Sequence, residues 1–206
     1  MFIEGEFLIL SLLFLIALLY SSVGHGGASG YLAVLSLTIY GEYDSGWLKQ
    51  HAWALNLVVA AIAFYHYKKA GFFNLKISYP FILASIPFAI IGGYMKVDGV
   101  FYDTLLSITL VWAAYKLLQI KEVNSTTEIR VPSLRYAVPI GGGIGLMSGF
   151  VGVGGGIFLS PILLLKRWAD PKTAAATAAL FIWVNSMAGL VGASISCLLY
   201  TSDAAD

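Results

Sequence analysis

Charge is scarce in this chain: Asp, Glu, Lys and Arg make up 11% of its 206 residues, and the formal net charge is +1. That scarcity argues against nucleic acid as a partner, because binding phosphates needs a concentrated basic face. A single cysteine, Cys197, cannot form an internal disulfide. Catalytic patterns are missing as well. There is no His/Glu metal helix, no Gly-x-Ser-x-Gly and no carboxylate pair inside an apolar segment, so no enzyme, metal site or cofactor is expected. The N-terminal stretch Met1 to Glu6 carries two acids and no base ahead of its apolar run. It therefore does not read as a secretory signal and is expected to remain in the mature protein.

What the chain has in abundance is apolar surface, with 59% hydrophobic residues and a mean hydropathy of +0.82. The runs are Phe7 to Tyr40, Ala52 to Tyr65, Ser78 to Tyr94, Phe101 to Leu118, Tyr136 to Leu165 and Ala174 to Ser194. This composition predicts an all-α polytopic membrane protein with the lipid bilayer as its surroundings. The first and fifth runs would each form a straight helix of roughly 45 Å, longer than the ~30 Å hydrocarbon core. Each must be broken.

Glycine marks the breaks. Val23-Gly24-His25-Gly26-Gly27-Ala28 and Val151-Gly152-Val153-Gly154-Gly155-Gly156 lie 128 residues apart at the same point of their runs. Paired unwound segments of this kind line a shared cavity in small-solute carriers. An unwound segment that leads into a helix presents free N–H groups and the positive end of the helix dipole. The expected ligand is accordingly a small anionic solute, held by Gly24, Gly26 and Gly27 of one break and Gly152, Gly154, Gly155 and Gly156 of the other. Close helix packing is the competing explanation for glycine, and it is the expected role of Gly141, Gly145 and Gly149.

Three polar side chains belong with the breaks. Asn56 and Asn185 fall in the runs that follow them, offset by 129 residues, and either could donate to a substrate or stabilise the bundle. His25 is the ionisable residue within a break; it could carry a proton or pair with an anion, or hydrogen-bond to the hairpin backbone. Thr173, Thr177 and Ser186 are weaker candidates. His51 and His66, near membrane boundaries, receive no role. No Asp, Glu, Lys or Arg is placed in the middle of a span, which suits an anion better than a cation.

Charge placement predicts the topology. If both broken runs are hairpins and the other four cross once, ten of the 12 basic residues share one face: Lys68, Lys69, Lys76, Lys116, Lys121, Arg130, Arg135, Lys166, Arg167 and Lys172. The positive-inside rule makes that face cytoplasmic. Lys49 and Lys96 fall opposite, among Glu4, Glu6, Glu42, Asp44, Asp98 and Asp103. An odd number of crossings then inverts the second repeat relative to the first. Residues 1–120 form the first membrane repeat, 121–135 a cytoplasmic linker and 136–196 the start of an incomplete second repeat. Residues 197–206 are expected to be read-through of a sequencing adaptor, with about two further spans in the intact gene. Trp47, Trp53, Tyr94, Trp112, Tyr115, Tyr136 and Trp168 are expected at the membrane interfaces. Asp170-Pro171 is expected to start a helix.

The stretch Leu146-Met147-Ser148-Gly149-Phe150-Val151-Gly152-Val153-Gly154-Gly155-Gly156-Ile157-Phe158-Leu159-Ser160-Pro161-Ile162-Leu163-Leu164 closely resembles the second-repeat signature of the TauE/SafE sulfite exporter family. The resemblance extends from about Phe7 to Ser196 and implies a permease for small anions such as sulfite and organosulfonates. The first repeat departs from the pattern, with His25 ahead of the glycine pair, Ala28 for the third glycine and Ala33 where Pro161 stands in the second. The combined expectation is a bacterial inner-membrane secondary transporter working by alternating access, and a homo-oligomer is compatible with it. A membrane scaffold or sensor, or an anion channel, is the alternative.

Overall fold

The computed structural model describes residues 4–97, 99–118 and 130–203. Its elements are α1 (Glu4–Ser22), α2 (Ala28–Ser36), a 3-10 turn (Ile39–Glu42), α3 (Ser45–Lys69), α4 (Leu75–Tyr94), α5 (Gly99–Leu118), α6 (Leu134–Val151), α7 (Gly156–Leu165) and α8 (Pro171–Asp203). The expected all-α polytopic architecture is therefore present. α1, α4 and α8 are long and apolar enough to cross a membrane. Asp98, Lys121, Glu122, Glu128 and most of the 121–135 linker lie outside the described residues. α8 continues through Cys197 to Asp203, so the segment set aside as adaptor read-through is helical as far as it is described.

Both long apolar runs are broken where their glycines predicted, and in the same way. A helix of 19 residues (α1) is followed by one of nine (α2), and one of 18 (α6) by one of ten (α7). At 1.5 Å per residue each pair is a leg of about 28 Å and a return leg of about 14 Å. The chain reverses through left-handed backbone: Gly24 and Gly27 have φ of +74° and +93°, and Gly152, Gly154 and Gly155 have φ of +91°, +73° and +80°. L-residues with a Cβ pay heavily for that conformation, which is why glycine occupies it.

Side-chain contacts fix the helix directions. Asn56 of α3 bonds Ser186 of α8, and Trp53 one turn earlier meets Gly189, so α3 and α8 are antiparallel. α4, α6 and α8 run together. Gly141, Gly145 and Gly149 of α6 sit on Phe81, Ser85 and Ala89 of α4, and α8 meets α4 at Thr177 on Ser78 near their starts and at Gly192 on Ile90 further along. The close-packing role expected of the first three glycines is met, backbone against backbone. α1 runs with α3, since the Tyr67 hydroxyl near the end of α3 donates to the Ser22 carbonyl at the end of α1 (2.8 Å). α1 and α3 thus point one way, and α6 and α8 the other.

Two expectations about aromatic residues need correction. Trp53 is fully buried, because its indole fills the space left by Gly189, and Trp168 is buried against Phe81 (ring centroids 5.9 Å apart). Trp47 stacks instead with Tyr40, Tyr43 and His51 beside the 3-10 turn.

The Asp170 cap is formed as expected. Its Oδ1 accepts from the Lys172 and Thr173 amides at 3.0 and 3.1 Å, satisfying donors that the first turn of α8 leaves free. Partial burial opposes ionisation of Asp170, but donation from the Thr173 side chain and from these amides outweighs it and holds the carboxyl below its ordinary 3.8. A carboxylate with a depressed folded-state pKa stabilises the fold above the unfolded value, and that contribution is lost as pH falls through the folded one. Asp170→Ala should cost about 1 kcal/mol at neutral pH. Thermal unfolding in detergent should show the variant and the parent converging as the pH is taken below that of an ordinary carboxylate.

Candidate functional site

The two glycine breaks meet on the facing sides of α3 and α8. A Cβ on Gly26 of the first break would collide with Asn56 Oδ1 and with Ile182 Cγ2; one on Gly154 of the second would lie 2.7 Å from Asn56 Nδ2 and 2.9 Å from the same Cγ2. Asn56 therefore stands between the breaks, with one end of its amide against each. Nearer the start of α8, Gly24 abuts Ala175, and Gly155 abuts Phe181, Ile144 and Ser148. Gly27 and Gly155 are the N-caps of the return helices α2 and α7, and neither N-terminus receives a side-chain cap. First-turn N–H groups have no partner within their own helix.

His25 Nδ1 lies 3.0 Å from the Val23 carbonyl, which can only accept, so this nitrogen donates within its own break. The hydrogen bond to hairpin backbone that the sequence offered as one of its roles is thus formed.

Asn185 is placed differently from its counterpart. Its Nδ2 donates to the Phe181 carbonyl of its own helix at 2.8 Å, whereas Asn56 Nδ2 donates to Ser186 Oγ at 3.2 Å. Both side chains are fully buried. The repeat offset suggested equal partners, but of the two it is Asn56 that lies against both Gly26 and Gly154. Ser186, ranked low from sequence because membrane-helix hydroxyls usually bond their own backbone, is the partner of Asn56. Thr177 pairs with Ser78 (2.9 Å) rather than with either break.

Unsatisfied polar atoms are concentrated in the same region. Tyr31 OH, Ser148 Oγ, Ser160 Oγ, Asn56 Oδ1 and Asn185 Oδ1 are buried without a hydrogen-bond partner among the described residues. Tyr31 packs on Gly27, Ser148 lies beside Gly155, and Ser160 is one turn into α7. Buried polar groups are normally paired, so a set of unpaired ones fits a polar ligand or water. The three hydroxyls can donate to an anion. The amide oxygens can accept from a protonated oxygen of that anion or from water, or a half-turn of the Asn56 amide brings Nδ2 round.

One residue was misplaced by charge counting. Lys49 belongs to α3, is only 3% exposed, packs its stem on Gly152 and holds Nζ 6.0 Å from the Tyr102 ring centroid. A signal for it existed: Lys49 precedes Asn56 by seven residues, two helical turns on the same face.

A family model described as Sulfite exporter TauE/SafE matches residues 9–204. Probable membrane transporter protein y4hK of Sinorhizobium fredii (strain NBRC 101917 / NGR234) is 36% identical over 186 residues, covering 89% of this chain and 74% of that protein. No solved structure matches.

The break geometry predicts opposite outcomes for two glycines of the second repeat. Gly154→Ala combines a left-handed backbone with a collision against Asn56 and should lose at least about 1–2 kcal/mol. Gly143→Ala, with open space around it in α6, should be neutral or stabilising by up to about 1 kcal/mol. Thermal unfolding of both purified variants in one detergent checks the pair; equal effects would contradict the geometry.

Proposed function

The chain belongs to the Sulfite exporter TauE/SafE family of membrane transporters, and from that premise we propose that it moves a small anion, sulfite or an organosulfonate, by alternating access. The carrying observation is the meeting of the two breaks on the buried amide of Asn56, which has Gly26 against one end and the left-handed Gly154 against the other, each break leading into an uncapped helix N-terminus. Backbone N–H groups and two helix dipoles supply positive potential without a fixed charge in the break itself. The unpaired hydroxyls of Tyr31, Ser148 and Ser160 supply further donors.

Gly24, Gly26 and Gly27 and Gly152, Gly154, Gly155 and Gly156 form the binding breaks in this reading. Asn56 orients the anion, Asn185 takes a secondary part, and His25 adjusts the charge between the breaks. The opposite directions of α1 and α3 and of α6 and α8 support an inverted pair of repeats, the arrangement that lets one site face either side in turn. The ten basic residues on one face support a cytoplasmic orientation in a bacterial inner membrane.

Purified protein in liposomes should catalyse saturable sulfite flux and accelerate labelled-sulfite exchange from the opposite side. Non-saturating flux without counter-exchange would make it a channel, and no response to any anion a scaffold or sensor. Asn56→Asp should cut flux by more than about tenfold, since a like charge set against the anion costs several kcal/mol. Asn185→Ala should cost less, because its amide is spent on its own helix. Equal losses in the two variants would remove Asn56 from its place in the site.

A further inference from the structure

The side chain of Ile182 reaches both breaks. Its Cγ2 is the near neighbour of a Cβ built on Gly26 or Gly154 (2.9 Å in each case), and its Cδ1 and Cγ1 are the near neighbours of one built on Gly156. It is 2% exposed, on the α8 face turned toward Asn56. Most of the space that side chains on three break glycines would need is thus taken by one aliphatic group and one amide, with Ser186 Oγ beside Gly154 at 3.2 Å. Asn56 can hydrogen-bond to whatever lies between the breaks. Ile182 can only occupy volume there, and its branched Cβ leaves it little rotamer freedom in a helix.

We propose that Ile182 sets the upper size of the transported anion, acting as the steric limit at the point where the two breaks meet. The inference rests on the reading of the breaks as the anion site. An oxyanion head drawn to the N-termini of α2 and α7 must lodge beside Ile182, and any carbon tail behind that head competes with Cγ2 and Cδ1. A rigid aliphatic wall separates ligands that differ by single methylene groups by roughly tenfold or more each. The wall selects by size and leaves the charge of the ligand to the backbone donors.

The test is flux in proteoliposomes for sulfite, methanesulfonate, ethanesulfonate and propanesulfonate, with the parent, Ile182→Val and Ile182→Ala. Valine removes only Cδ1, the atom against Gly156, and keeps Cγ2, so it guards against loss of folding in the alanine variant. The parent should transport progressively less of the longer anions. The ratio of propanesulfonate to sulfite flux should rise about tenfold in Ile182→Val and further in Ile182→Ala. An unchanged ratio in a folded Ile182→Val protein that still moves sulfite would overturn the size-limit role while leaving the anion site standing. Absence of flux for every anion in the parent would overturn the anion reading itself, and this inference with it.

Discussion

Every departure from helix in a bilayer must be walled off by protein, because lipid offers no partner to a bare amide. This chain departs twice, and the packing of the other helices follows from that. Ala175 closes on Gly24, Asn56 and Ile182 on Gly26, the stem of Lys49 on Gly152, Asn56 and Ser186 on Gly154, and Phe181 on Gly155. Most of these wall residues come from α3 and α8, with Ile144 and Ser148 of α6 added against Gly155 and Tyr31 of α2 against Gly27. The contacts that lock α3 to α8, Trp53 on Gly189 and the Asn56–Ser186 hydrogen bond, therefore hold both breaks shut at once.

Glycine serves two physical ends here, and they divide the molecule. In the breaks it supplies a left-handed backbone. In α4, α6 and α8 it supplies close approach: Gly92 and Gly149 lie against each other's backbone, as do Gly93 and Gly189. Backbone-to-backbone contact leaves no side chain to re-pack, so these three parallel helices can shift only together. α1 is different. It presents Phe7, Leu8, Phe14, Leu15 and Leu19 outward and stays largely exposed along its length, as a lipid-facing leg would. Its ties to the rest include Tyr67 at its end, Gly30, which accommodates Ile16, and the Ser29–Tyr20 hydroxyl pair.

The sequence made the fold legible because the signals were local. Run length demanded two breaks, glycine located them, and Asp170-Pro171 located the start of α8. The site was legible in part. The glycines were found, but their meeting on Asn56 depends on the antiparallel register of α3 against α8, which no local pattern encodes. Lys49 was assigned to the outer charge group because its position at the head of α3 resembles a loop edge, while its burial comes from Gly152 in another repeat. Trp53 looked interfacial for the same reason, since its burial depends on Gly189. Ile182 carried no signal at all. An isoleucine in an apolar helix is ordinary until two breaks are seen to close on it.

The two asparagines, equivalent in the duplication, are not equivalent in the structure. Their offset makes them equivalents, yet Asn56 bridges the breaks and bonds Ser186 on the opposing helix, while Asn185 bonds the Phe181 carbonyl of its own. A duplicated sequence held in a single conformation need not be symmetric, and in an inverted pair it cannot be if the site faces one side only. Under the alternating-access reading, exchange between the two facings exchanges the environments of the halves. Asn185 would then take the bridging place and Asn56 the withdrawn one. Exchange of that kind requires each amide to have an alternative partner close at hand. Asn185 has one in its own helix carbonyl, whereas Asn56 holds its Ser186 partner in the bridging place itself, so the withdrawn arrangement would have to give Asn56 a new acceptor.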